Sequence, residues 1–391
     1  MKPNPLKNLI LALLSSLLLF FCSSSGGIGG SGIIKLGTIT GFGSIVVNGA
    51  EIDISNAVII VEGEIKGVGD DVALDNLDIG RVVTVKGTRS EDEHDIVAEQ
   101  VRFNDDVEGP VESIRDSGPG TKIIVVLGQT VIVNALTKFK GTTFGAIAED
   151  DVVEVSGLID DKGAIWATYV EKTGEFGPGL VVEVKGVVKN LKSKFQTFEI
   201  NNLTVDYSRA DTSGLPFGVP TDGLLVEVEG RIVASGGKML ATEIEPEDEI
   251  GSNNADEIEI TGFVTDFVSA FEFTVGSQAV QADANTKYVD GEPKDIAPGV
   301  KLEVEGSLVN RILFAEEVEF WEPDQIEIEG VVTDFVSAFE FTVGGQVVHT
   351  DADTVFEDGT PDDIKLGVLL EIKGSLTNGI LLADKVSFEQ E

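Results

Sequence analysis

Cysteine, histidine and positive charge are what this sequence has least of. A single Cys in 391 residues permits no intrachain disulfide, and two His, at 94 and 349, are too few and too far apart to suggest a His-based metal centre. Lys and Arg number 28 against 68 Asp and Glu, a net charge of −40 that repels phosphate backbones, so no nucleic-acid partner is expected. Catalytic signatures are missing as well. There is no G-x-S-x-G elbow and no H-E-x-x-H helix, and no phosphate loop either, since Gly237-Lys238 is followed by Met239 and lacks the earlier Gly. Carboxylates are so numerous that neighbours such as Asp160-Asp161 or Glu316-Glu317 arise by chance and nominate no acid/base pair. No catalytic residue and no enzyme activity is expected. What is present, 42% hydrophobic residues and 45 Gly, is the composition of a folded chain.

The start of the chain reads as an address. Lys2 and Lys7 precede an apolar run from Leu9 to Cys22, which as a helix would reach roughly 21 Å against a hydrocarbon core of about 30 Å, so export fits better than spanning. The run ends at Cys22, with Leu19 three residues before it and Ser23 to Gly32 after it. This resembles a bacterial lipoprotein signal in residues 1–22, with Cys22 as the lipidation site and residues 23–36 as a flexible tether. Phe20 and Phe21 depart from that pattern, and cleavage after Ser25 with loss of Cys22 is the alternative. The expected location is the bacterial cell envelope, periplasmic or at the surface, with the membrane as a partner through the N-terminal lipid.

Beyond residue 36 the chain repeats itself. Thr265 to Gly276 (TDFVSAFEFTVG) recurs letter for letter at Thr333 to Gly344. Three landmarks extend the register upstream. A Gly opens each unit (Gly37, Gly109, Gly186, Gly262, Gly330). An alternating strand then ends in Gly (Gly87, Gly157, Gly230, Gly306, Gly374), and an Ala is followed three residues later by Val or Ile, as in Ala98 and Val101 or Ala383 and Val386. The units so defined are 37–106, 107–175, 180–246, 257–322 and 326–391.

Within a unit the hydrophobic period is two, so the elements are strands. Phe339, Phe341 and Val343 alternate with Glu340 and Thr342, and Gly344-Gly345, Asn48-Gly49 and Asn378-Gly379 read as hairpin turns. At each Ala landmark the apolar parity shifts by one, which predicts a bulge of the kind that closes a small barrel. Five strands per unit, with a connection of about 15 residues between the third and fourth such as Asp351 to Lys365, favour an OB-like barrel over an SH3-like one. The expected fold is all-β: five tandem small five-stranded OB-like barrels after an N-terminal signal segment, strung as an extended rod by their mutual repulsion. A two-sheet sandwich assembled across units is the alternative.

The run Gly41-Phe42-Gly43-Ser44-Ile45-Val46-Val47-Asn48-Gly49, with the later VTVKG and AEQVRF segments, resembles a bacterial family known only as a domain of unknown function, found as tandem β-rich copies on exported proteins. The likeness is fullest in the first unit, fair in the second through Asp105 to Val111 and Leu127 to Val131, and reduced to the skeleton in the other three. It implies export and an OB-like fold and transfers no catalytic residue.

Candidate binding residues are few. Two connections gather carboxylates around Asp-Gly turns, with Asp290 and Asp295 in one and Asp351, Asp353, Asp358 and Asp363 in the other. Oxygen ligands at that density suit Ca²⁺, although Val355 breaks the EF-hand spacing, and a solvated acidic loop is the plain alternative. No cofactor beyond weak Ca²⁺ is expected. Phe267 and Phe335 fall in a first loop, to plug a barrel end or bind a ligand, and Trp166 and Trp321 are placed to pack between units or stack on sugars. Lys185, Lys189, Lys192 and Lys194 form a basic cluster for an acidic neighbour or a bare surface patch. These features give an exported binding or spacer protein with no catalytic site, with a carbohydrate-binding or carbohydrate-active envelope protein as the alternative.

Overall fold

Alternation places the strands, and a few glycines decide where they bend. The computed structural model describes residues 32–42, 44–90, 96–118, 120–177, 179–232, 238–248, 250, 254–321, 325–343, 346–377 and 380–388. Leu19, Cys22, His94 and the turns Gly344-Gly345 and Asn378-Gly379 lie outside these residues.

In unit 4 (257–322) Phe273 and Val275 are buried while Glu272 is exposed, the expected consequence of a period of two on a surface that is wet on one side. The unit's strands are Ala255–Ser269, Glu272–Val275, Gln278–Gln281, Lys301–Val309 and Ile312–Trp321. The first pairs antiparallel with the second and the fourth, the second with the third, and the fourth with the fifth. The third then runs parallel to the fifth and closes the ring. Unit 1 closes by the same pairings, as do unit 2 and unit 5. In unit 3 the first strand is broken into Val182–Val187 and Lys189–Lys192, which pair with the fourth and second strands respectively. The protein is thus all-β and built of small closed five-stranded barrels. Asp70–Asn76 is the one α-helix among the described residues.

The bulge expected at the Ala landmark is present in every unit. In unit 4 Glu305 pairs with Glu317 while Gly306 pairs with Ala315, so Glu316 is the extra residue. The same step occurs at Gly87, Gly157, Gly230 and Gly374. Each Gly lies inside its strand and does not end it, because the strand runs on after the bulge to Arg89, Ile159, Ile232, Val309 and Thr377. Close approach explains the residue type: a Cβ on Gly306 would lie 2.0 Å from the Phe314 carbonyl oxygen. At the Asn48-Gly49 turn both residues take positive φ, 51° and 71°, as the two-residue hairpin predicts.

The long connection between third and fourth strands is more ordered than a loop. A short strand in it (Lys138–Lys140, Lys287–Val289, Val355–Glu357) runs parallel to the outer half of the fifth strand in units 2, 4 and 5. Unit 1 makes it a full hairpin, Val58–Val61 with Glu64–Val68.

The units pack against one another, which overturns the extended rod. Residues 32–36, expected as the end of a flexible tether, are instead the start of the first strand of unit 1 (Gly32–Phe42), because Ile33 and Ile34 are buried. Ile33–Leu36 of that strand runs parallel to Glu257–Ile260, joining the sheets of units 1 and 4, and Val107 and Glu108 pair with Val184 and Glu183, joining units 2 and 3. Buried bases hold the acidic units together. Arg81 of unit 1 meets Glu154 at 2.7 Å and Glu171 at 3.2 Å, both in unit 2, and its guanidinium lies over the rings of Phe103 and Tyr169. Lys35 pairs with Glu259 across units 1 and 4, and Lys373 with Glu319 across units 5 and 4. The rod expectation failed because it counted net charge, whereas one desolvated base placed between several carboxylates outweighs the screened repulsion of the remainder.

Candidate functional site

The acidic connections singled out in the sequence use their oxygens locally. Asp351 Oδ1 accepts from the Asp353 backbone N–H at 2.8 Å, Asp295 Oδ2 from the Glu292 N–H at 3.0 Å, and Asp363 Oδ2 from the Thr360 N–H at 3.0 Å and its hydroxyl at 2.6 Å. Asp290 and Asp358 occupy left-handed turn positions, φ 57° and 55°, and Asp290 accepts from Lys373 at 3.4 Å. All six carboxylates are exposed.

A different set of carboxylates converges in the interior. Glu62, Asp105 and Glu183 each bring one carboxylate oxygen within 4.8 Å of the other two, the one such group among the described residues. Their origins are unrelated. Glu62 stands at the tip of the unit 1 hairpin in a left-handed conformation, φ 49°, beside Gly63 at 67°. Asp105 belongs to Asn104-Asp105-Asp106, which joins the last strand of unit 1 to the first of unit 2, and is 3% exposed. Glu183 lies on the first strand of unit 3, directly opposite Glu108 on one side and Glu229 on the other. The Asp105 backbone N–H donates to Glu62 Oε1 at 3.0 Å and ties two of the three together. Glu62 Oε2, Asp105 Oδ1 and Glu183 Oε1 are buried and have no hydrogen-bond partner.

The electrostatics follow from that crowding. Burial, with the charges of Glu227 and Glu62 added, pushes Glu183 up to about 9, and burial pushes Glu62 up to about 8. Asp105 is raised well above the carboxylate range by burial and by Glu62 and Glu183. Neighbouring Glu227 is lifted to about 7 by burial and Glu247. Of the basic cluster, Lys185 pairs with Asp106 outside its unit at 2.8 Å, and Lys192 with Glu199 of its own unit at 3.5 Å.

A second feature lies where units 1, 2, 4 and 5 meet, a cavity of about 630 Å³. Ile39, Phe42, Leu136, Phe263, Trp166 and Trp321 line it, so its wall is mostly apolar. The two tryptophans are the only ones in the chain, and both sit at unit junctions. Trp166 of unit 2 packs on Phe263 of unit 4 with ring centroids 5.6 Å apart, and the Lys373 ammonium of unit 5 lies 4.2 Å from the Trp321 ring. Trp321 is 9% exposed, and its indole N–H has no partner; the Thr40 hydroxyl, also lining the cavity, is likewise buried and unpartnered. Phe267 and Phe335 belong to first strands and not to a loop, each 38% exposed, and neither lines this cavity.

Of the residues that matter here, sequence reasoning singled out the two tryptophans and missed the carboxylates. Glu62 offered a weak signal, a Glu-Gly pair in a hairpin turn where Asn or Asp is usual.

Comparison with known proteins gives little beyond a family. No curated protein matches the chain. A solved structure, "drosophila Unr CSD456", is similar at 16% identity over 53% of this chain and 96% of that one, and its TM-score of 0.13 carries no argument. The family described as "Domain of unknown function (DUF5666)" matches residues 108–171, 185–245, 261–319 and 329–387. These segments are units 2 to 5, and the Gly41 to Gly49 run on which the resemblance was fullest lies outside them. On four matched copies covering more than half its length, the chain belongs to the DUF5666 family.

Proposed function

We propose that this chain is a non-catalytic binding protein of the bacterial cell envelope: five OB-like barrels, anchored by lipid on Cys22, that enclose a small apolar ligand between them. The OB-like reading draws on the parallel closure of third on fifth strand and on the long third-to-fourth connection. Export draws on Lys2, Lys7 and the apolar run ending at Cys22. The observation that carries binding is the junction cavity, whose roughly 630 Å³ falls within the size of small-molecule sites. Its occupant is a mainly apolar molecule with one hydrogen-bond acceptor for the Trp321 N–H, because leaving a buried donor unpaired costs on the order of 1–3 kcal/mol that such a ligand recovers.

Both tryptophans line the cavity, so their emission reports its occupancy. Titration with anilinonaphthalene sulfonate, an apolar anion, is expected to quench tryptophan emission saturably at one equivalent. Trp321→Phe is expected to weaken binding about 3- to 10-fold while Trp166 still reports it. Unsaturable quenching, or equal affinity in the variant, removes the cavity from the account. Intact mass of membrane-extracted protein tests the anchor independently, and a mature N-terminus at Gly26 without lipid contradicts it.

A further inference from the structure

We infer that Glu62, Asp105 and Glu183 form a Ca²⁺ site that clamps unit 3 to unit 1 and to the link leading into unit 2. A cluster of acids alone proves little in so acidic a chain, but Asp105, whose carboxylate is part of the cluster, is 3% exposed, and its Oδ1 accepts from nothing. Glu62 Oε2 and Glu183 Oε1 are buried in the same condition, so each of the three carboxylates keeps an oxygen for a donor or cation the fold does not supply. An unpaired buried carboxylate is among the costliest groups a fold can hold.

The donor set selects the ion. All three ligands are hard carboxylate oxygens, with no His or Cys among them, which suits Ca²⁺ or Mg²⁺ over Zn²⁺. Ligands at 2.3–2.6 Å on opposite sides of Ca²⁺ stand roughly 4.6–5.2 Å apart, so oxygens within 4.8 Å of one another accommodate it. Mg²⁺ needs an octahedron at about 2.0–2.1 Å and so a tighter cluster. Asn104 Oδ1, buried and without a partner one residue from Asp105, is a further carbonyl oxygen of the kind Ca²⁺ accepts.

The placement of the ligands explains why an ion would be used there. Glu62 comes from the unit 1 hairpin, Asp105 from the link between units 1 and 2, and Glu183 from the first strand of unit 3. That strand sets Glu183 opposite Glu108 and Glu229, and like charges facing across a ladder repel. A divalent cation converts this repulsion into a three-way contact between segments far apart in the chain.

Calorimetry of the chelator-treated chain with CaCl₂ tests this. One saturable site with a dissociation constant at or below about 10⁻⁴ M is expected, at least tenfold weaker for Mg²⁺. Asp105→Asn with Glu183→Gln should lose the site while melting no lower than wild type in chelator, since it removes two carboxyls that the fold without an ion holds only by taking up protons. Asp358→Asn with Asp363→Asn, the same charge change in an exposed loop, should keep it. Glu183→Gln alone is the gentler variant and should weaken binding at least tenfold. No saturable heat in the wild type, or equal loss in the junction and loop variants, overturns the site and leaves the cluster held by protons.

Discussion

At Gly306 an added methyl would meet the carbonyl oxygen of Phe314 at 2.0 Å, and at Gly374 that of Leu382 at 2.1 Å, well inside contact distance and against backbone that cannot swing away. Gly306→Ala is therefore expected to destabilise the fold by about 1–3 kcal/mol, read as a lower denaturation midpoint in urea. A change under about 0.5 kcal/mol would mean that the bulge yields. The glycine was visible in the sequence as a landmark and its cause was not. What it avoids lies eight residues downstream on the returning strand, and only the bulge at Glu316 brings that oxygen over it. Asn48-Gly49 is the opposite case: its positive φ angles follow from the residues themselves, so the turn was legible directly.

Elements carry the same contrast. Alternation in Glu340-Phe341-Thr342-Val343 identified a strand because period two needs only neighbours, though Phe339, expected on its apolar face, falls in the turn before it and is exposed, and the parity shift at Ala383 located a bulge. The acidic centre could not be read that way. Glu62, Asp105 and Glu183 are separated by 43 and 78 residues, and what joins them is the packing of three barrels. Between Asp351 and Asp363, by contrast, carboxylates are dense in sequence, but Asp351 and Asp363 cap their own turns. The buried group has a consequence for pH. Glu62 and Glu183 stand near 8 and 9 in the fold against about 4.5 in the unfolded chain, so between those limits the fold holds more protons. Stability is then fully present below about 4.5 and falls as pH rises toward 9. In chelator the melting temperature is expected to decline from pH 5 to pH 9, and the Asp105→Asn, Glu183→Gln variant to flatten the decline. A wild-type profile that rises over this range contradicts the buried carboxyls.

For the whole molecule, packing of the units replaces the rod with a body whose dimensions are measurable. Residues 31–391, folded compactly, should have a radius of gyration of about 21–25 Å, whereas five barrels in line would approach roughly 40 Å. Small-angle scattering distinguishes them, and a value above about 32 Å would break the contacts of Arg81, Lys35 and Lys373. The seam between Ile33–Leu36 and Glu257–Ile260 also bears on how the chain reaches this state. Its partners lie 224 residues apart, as Lys35 and Glu259 show, and two complete barrels intervene. A chain released from its N-terminus presents the edge of its first strand long before the matching edge of unit 4 exists. Unit 1 must wait with an open strand edge, the feature that invites pairing with other chains. Assembly is therefore last to finish at Gly32–Phe42, the first of the described strands, whose contact with unit 4 is the slowest to form.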